Sequence, residues 1–419
     1  MKRIGLVAAV RSVTALVTAA VVMLTGGCVV EGNPVADYPD PAPLNVGKYS
    51  IDPLDQPSGS EKYGRVVEAA RLAETLIDPI QVDATLTHAA SPQGVLLLPT
   101  PAKATLLLAE PVRAVLEQNG MLTGCAASGT DSEPAVDGPQ IGAAKVLSVI
   151  VLRFPDESAA QRAAADIDVV DAAVSPGNVS VLIPGYAAAH AHWRPDVPTM
   201  ATTIADGANV VSLLIGDLVA DQDTLTGMAR KTFDAQLPRI REFVPTARDR
   251  LSTMPLDRDG MLSRMVPEAP GRWPYPVVTV GNPGRVAQWS PLVFSAGVVF
   301  GPRAAQLVNG RRLVDSGIEL RAVNGWTELG RFATVAAARR FFDGYLRSHT
   351  PEKGYRYVDG PAGVPDVSCD EDVSPEAMEE TRYSCRVLHG RYVGATVSRD
   401  LNTLRQRIAA QYGLLATSG

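Results

Sequence analysis

The stretch "VIVLRFPDESAAQRAAADI", residues Val149–Ile167, decides the fold. It begins with a continuous apolar run, the signature of a buried strand. Asp156 then stands where a helix N-cap is wanted, and the alanines that follow have the highest helix propensity. The segment reads as a strand that turns directly into a helix. The same plan returns in "ELGRFATVAAARRFFDGYL", Glu328–Leu346. Arg153-Phe154 matches Arg331-Phe332, Ala159-Ala160 matches Ala337-Ala338, and Arg162 matches Arg340, all at one offset of 178 residues.

The ends of the two halves correspond as well. "NVVSLLIGDLVADQDTLTGMARKTFDAQL" (Asn209–Leu237) is a strand followed by an amphipathic helix. "YSCRVLHGRYVGATVSRDLNTLRQRIAAQYGLL" (Tyr383–Leu415) is a hairpin with a tight turn at His389-Gly390, and then a similar helix. Asp400 is its cap, and Leu401, Leu404, Ile408, Tyr412 and Leu415 share one face. The expected fold is α+β, two related domains from an internal duplication, each an antiparallel sheet with helices on one face. The boundaries read as 59–252 and 285–419, joined by a proline-rich segment at 253–284.

The start of the chain carries an address. Lys2, Arg3 and Arg11 are basic, and Ser12–Leu24 is an uncharged run of 13 residues. That is shorter than the roughly 20 residues a membrane span needs, and it suits a signal peptide. Residues 1–27 are read as that signal. Leu24-Thr25-Gly26-Gly27-Cys28 resembles the lipobox of bacterial lipoproteins, with Leu24 one place further from the cysteine than is usual. The resemblance implies a diacylglyceryl group on Cys28, and two acyl chains suffice for stable anchoring. Val29–Ser58, rich in Pro, Gly, Asp and Asn, reads with Cys28 as a tether over 28–58.

Composition narrows the classes. The chain has 419 residues, 46% apolar and 20% charged, as in ordinary globular proteins. The net charge is −6, and the three basic residues of the signal leave −9 from Cys28 onward. An acidic chain without basic clusters argues against nucleic-acid binding and against docking on anionic headgroups. Of four cysteines, Cys28 is assigned to lipid, and Cys369 and Cys385 are the natural disulfide pair outside the cytoplasm. Cys125 is left over, either buried and inert or paired with one of the others.

The lipobox, the tether, "LRFPDESAAQRAA" and the terminal "RIAAQYGLL" helix together resemble a family of uncharacterised actinobacterial lipoproteins known from mycobacteria. The hairpin that bears Cys385, with the last helix, is more faintly similar to extracellular sensor domains of mycobacterial serine/threonine kinases. These resemblances imply a fold and an envelope location, and they transfer no catalytic residue.

Candidate chemistry is sparse. His190 and His192 share a strand face, as two metal ligands would, but no familiar spacing supplies a third ligand, Asp196 being the nearest acid. The expectation is no metal and no cofactor. "CDEDVSPEAMEETRYSC", Cys369–Cys385, is acidic without the EF-hand pattern, and Ser374-Pro375 reads as a helix start. No G-x-S-x-G, S-x-x-K or H-E-x-x-H motif is present. "PAKATLLLAEPVRAVLEQNG", Pro101–Gly120, reads as a core helix. The resulting expectation is a non-enzymatic, lipid-anchored envelope protein, held to the membrane through Cys28, that binds a small envelope molecule or a protein partner. The alternatives are an envelope hydrolase and a lipid or glycolipid carrier with a cavity of roughly 1,000 Å³ or more.

Overall fold

The computed structural model describes residues 38–91, 93–133, 138–281, 291–308, 316–375 and 378–418. The signal, Cys28 and the tether as far as residue 37 lie outside the described residues, as does Glu376. The first copy runs α1 (Glu61–Leu72), β1 (His88–Ala89), β2 (Val95–Leu97), α2 (Pro101–Ala104), α3 (Val112–Gln118), β3 (Thr123–Thr130), β4 (Val146–Arg153), α4 (Glu157–Ala172), β5 (Val179–Ser180), β6 (His190–Trp193), β7 (Thr199–Asp206), β8 (Asn209–Gly216) and α5 (Gln222–Arg241). A two-stranded ribbon follows, β9 (Val277–Val280) with β10 (Val293–Ala296). The second copy is β11 (Val298–Phe300), α6 (Pro302–Leu307), β12 (Ile318–Asn324), β13 (Thr327–Phe332), α7 (Val335–Ser348), β14 (Tyr355–Val358), β15 (Val367–Asp372), β16 (Tyr383–His389), β17 (Tyr392–Ser398) and α8 (Leu401–Thr417).

The duplication is written in the sheets. The first has strand order β1-β3-β4-β8-β7-β6-β5, with β2 also paired to β3. The second has β11-β12-β13-β17-β16-β15-β14. Position for position these are the same order, and every pairing is antiparallel. The caps repeat too. Asp156 accepts from the Ala159 N–H at 2.8 Å, and Thr334, which stands at the equivalent place, accepts from the Ala337 N–H at 3.1 Å. Asp221 and Asp400 cap α5 and α8, each accepting from an N–H three residues on at 2.7 Å. The hairpin turn at His389-Gly390 is present, with Gly390 at φ +54°.

The helices do not share one face. α4 packs through Ala159, Ala160, Ala163 and Ala164 on Ile150, Leu152, Val210 and Leu214. α5 packs on the opposite face, where Val149, Val151, Val211 and Leu213 point. α7 and α8 likewise cover opposite faces of the second sheet. The reason is visible in β4, which is buried at all eight positions. A strand apolar on both sides needs cover on both. The sheets also meet through non-equivalent faces, because the α5 side of the first and the α7 side of the second contribute to one core.

Three local expectations are corrected. Pro101–Gly120 is two short helices, Pro101–Ala104 and Val112–Gln118, with Pro111 at the N-cap position of the second. The tether is shorter than 28–58, because the compact unit begins at Pro39. Tyr412 Oη donates to the Pro39 carbonyl at 2.7 Å, Thr417 Oγ1 to that of Ile51 at 2.8 Å, and Leu44 and Val46 pack beside α8. The proline-rich join is likewise packed, with Met261, Leu262, Met265 and Trp273 buried against Leu320, Ala322 and Leu329 of the second sheet. Cys369 and Cys385, register partners on β15 and β16, form a disulfide. Cys125 is a free thiol inside β3, and burial pushes its pKa well up.

Candidate functional site

A cavity of about 800 Å³ lies between α7, the ribbon and the second sheet, with Gln93 and Val95 of the first copy on its wall. That volume falls within the usual range of small-molecule sites, about 300–1,000 Å³. Phe294, Phe300, Val308, Val323 and Phe341 make its sides largely apolar. Trp326 and Met378 also line it, and at 40% and 49% exposure they mark its open side. α7 turns Ala337, Arg340, Phe341, Gly344 and Tyr345 toward it, the i, i+3, i+4 spacing of one helix face. Ala337 and Gly344 are small, which leaves room beneath the helix.

The floor is polar. Across the second sheet one row of register partners reads Val323, Glu328, Ala395, Arg386. The matching row of the first sheet is Ala126, Ile150, Ser212, Thr203. In the first copy that row is sealed under the alanines of α4, and Thr203 Oγ1 donates to the Ala164 carbonyl at 2.8 Å. In the second copy the equivalents of Ile150 and Thr203 are charged. Two strand spacings, roughly 10 Å, separate Glu328 from Arg386, and only Ala395 stands between them. Glu328 pairs instead with Arg321 on β12.

Arg386 lies over the Tyr345 ring, its guanidinium carbon 3.3 Å from the centroid. Its Nη1 is buried and has no hydrogen-bond partner. Desolvation pushes its pKa down. Tyr345 is fixed from behind, since its hydroxyl donates to Asp370 Oδ2 at 2.6 Å and lies 2.8 Å from Ser384 Oγ. Ser384 Oγ in turn donates to Asp370 Oδ1 at 2.9 Å. Burial raises the pKa of Tyr345 and of Asp370. The His349 ring lies against Tyr345, centroids 3.7 Å apart and the planes tilted by 33°.

The residues singled out by sequence lie elsewhere. His190 is exposed on β6. His192 is buried, with Nδ1 2.7 Å from Asp168 Oδ1 and Nε2 3.7 Å from Asp171 Oδ2, both acids on α4. Among the described residues no group of three or more His, Cys, Asp or Glu is arranged to hold a metal ion. Cys28 lies outside the described residues.

The acidic run at 370–372 is not a solvated turn. Asp370 and Glu371 are each 1% exposed. The Ser374 N–H donates to Asp372 Oδ1 at 2.9 Å, which holds the chain in a bend after β15. Glu371 accepts from Arg356 Nε at 3.0 Å and Arg382 Nη2 at 2.7 Å. Its carboxyl lies below the usual range, first through the Arg356 hydrogen bond, against desolvation, and then through Arg382. A depressed carboxyl stabilises the fold above its unfolded pKa, about 4.3, and that contribution is lost as pH falls through the folded value. The melting-temperature gap between wild type and Glu371→Gln is therefore expected to narrow from pH 6 to pH 3. A gap that stays constant in thermal melts refutes this.

Residues 55–256 match the model of a domain of unknown function, DUF7373 N-terminal, and residues 261–418 match the model of DUF7373 C-terminal. No curated protein and no solved structure matches the chain.

Proposed function

We propose that this chain, which carries both the N-terminal and the C-terminal DUF7373 domains, is a lipid-anchored protein of the actinobacterial cell envelope that binds a small amphipathic molecule without transforming it. The observation that carries the reading is the cavity beneath α7, with apolar sides, a polar floor and an open rim. Its volume of about 800 Å³ lies below the roughly 1,000 Å³ expected of a carrier for a whole lipid, so a smaller ligand is favoured. The address rests on the lipobox at Cys28 and the segment after it. The likeness to kinase sensor domains agrees with a ligand-binding unit held outside the membrane.

Two measurements test the two halves of this reading. Cys28→Ala is expected to release the protein from membranes or to leave an unprocessed precursor, by fractionation and immunoblot. Normal processing with full retention ends the lipid-anchor assignment. Mass spectrometry of organic extracts from protein purified out of its own envelope is expected to give one stoichiometric small amphiphile. A clean extract from freshly isolated protein argues for a protein partner instead.

A further inference from the structure

The charges around the cavity are unbalanced. Among the described residues Arg321, Arg340 and Arg386 line it, against one carboxylate, Glu328. Arg321 consumes that carboxylate. Arg340 lines the cavity but is itself exposed, so it stands at the edge within reach of solvent. Arg386 is half-buried, and its Nη1 is fully buried with no hydrogen-bond partner among the described residues. An unpaired buried guanidinium is costly, and proteins seldom keep one without a counter-charge. The Tyr345 ring offsets part of that cost on one face. Arg386 is part of the cavity lining, and the partnerless Nη1 belongs to that residue.

Among the described residues the nearby acids are taken by other partners. Asp370, the other acid near Arg386, is committed to Tyr345 and Ser384, which hold both of its oxygens. Ala395, between Arg386 and Glu328, is too small to fill the floor. In the sealed first copy the equivalents of Arg386 and Glu328 are Thr203 and Ile150. The unpaired charge therefore occurs in the copy that has the open cavity.

We infer that the cavity takes an amphipathic anion, its carboxylate or phosphate paired with Arg386 and its apolar body against Phe294, Phe300 and Phe341. This deepens the binding proposed above and rests on it. A guanidinium matches both oxyanions by bidentate hydrogen bonding, so the headgroup class is shared while the two sources remain distinguishable.

The test uses Cys28→Ser protein made with a standard cleavable signal and stripped of lipid. It is titrated with hexadecanoate, hexadecyl phosphate and hexadecanol, which share one chain and differ in head. At least one anion is expected to bind about tenfold or more tightly than the alcohol, and the tighter of the two identifies the headgroup. Arg386→Met is expected to abolish that preference while alcohol binding persists, and Arg386→Lys to retain part of it. Equal binding of all three probes by wild type overturns the anion inference and leaves the cavity reading standing. Binding of none overturns the cavity reading itself. A preference that survives in folded Arg386→Met removes Arg386 from the role. The comparison of probes on wild type needs no variant, so a misfolded substitution does not protect the idea.

Discussion

Replacing Glu68 by alanine is expected to destabilise the fold by about 3–5 kcal/mol, the cost of breaking a buried ion pair from one side. Glu68 lies on α1 at 0% exposure. Its Oε1 accepts from Arg153 Nη1 at 2.6 Å and from the Thr246 N–H at 2.8 Å. Its Oε2 accepts from Thr246 Oγ1 at 2.8 Å and Arg71 Nη1 at 2.5 Å. Arg153 also donates to the Thr246 carbonyl at 2.5 Å. One carboxylate thus ties α1 to the end of β4 and to the segment after α5. Desolvation pulls the pKa of Arg153 down while the Glu68 charge opposes that pull, so removing Glu68 strands a buried cation.

The internal repeat supplies the control. Arg331 stands where Arg153 does in the other copy, but its partners Glu319 and Asp259 are 38% and 52% exposed. Arg331→Ala is expected to cost no more than about 1 kcal/mol. Denaturant unfolding of Glu68→Ala, Arg153→Ala, their double and Arg331→Ala decides the matter. A Glu68→Ala loss below about 1 kcal/mol, or no coupling between Glu68 and Arg153, defeats the assignment.

The frame of the fold was legible because its repeat keeps residue types at a fixed offset, and both helix caps fall inside the quoted motifs. The cover on both sheet faces was also legible in principle. An unbroken apolar strand such as Val149–Leu152 needs two buried faces, whereas helices on one face suit strands that alternate. The packing of residues 39–58 was hidden for another reason. Leu44, Val46, Tyr49, Ile51 and Leu54 are single anchors at irregular spacing among prolines, and a segment without period reads as a linker. The cavity floor was hidden most deeply. Arg321, Glu328 and Arg386 come from three strands, and a lone arginine within "SCRVLH" reads as a solvent-facing residue. Only the strand order β13-β17-β16 puts Glu328 and Arg386 on one row. The signal that sequence does offer is alternation. Cys385 and Val387 face the α8 core, so Arg386 must face the α7 side.

Reducing the Cys369–Cys385 bond is expected to cost the second copy about 3 kcal/mol, the closure entropy of a loop of this length. The separation is 16 residues, and both cysteines are buried beneath α8 with Val387, Leu404 and Ile408. The bond clamps β15 to β16, the strands that carry Asp370 and the pair Ser384 and Arg386. Asp370 and Ser384 fix Tyr345, and Tyr345 supports Arg386. The loss of stability is therefore expected to come with weaker anion binding, whereas a lesion in the first copy away from Gln93 and Val95 leaves binding unchanged as long as that copy stays folded. Thiol counting on unfolded Cys28→Ser protein gives the covalent check. Of the three cysteines that remain, Cys125 alone is expected to label before reduction, and all three after it. Three labelled thiols without reductant would remove the bond. A melting curve and binding titration unchanged by reductant would remove the coupling instead, leaving the disulfide a local staple of the β15–β16 loop.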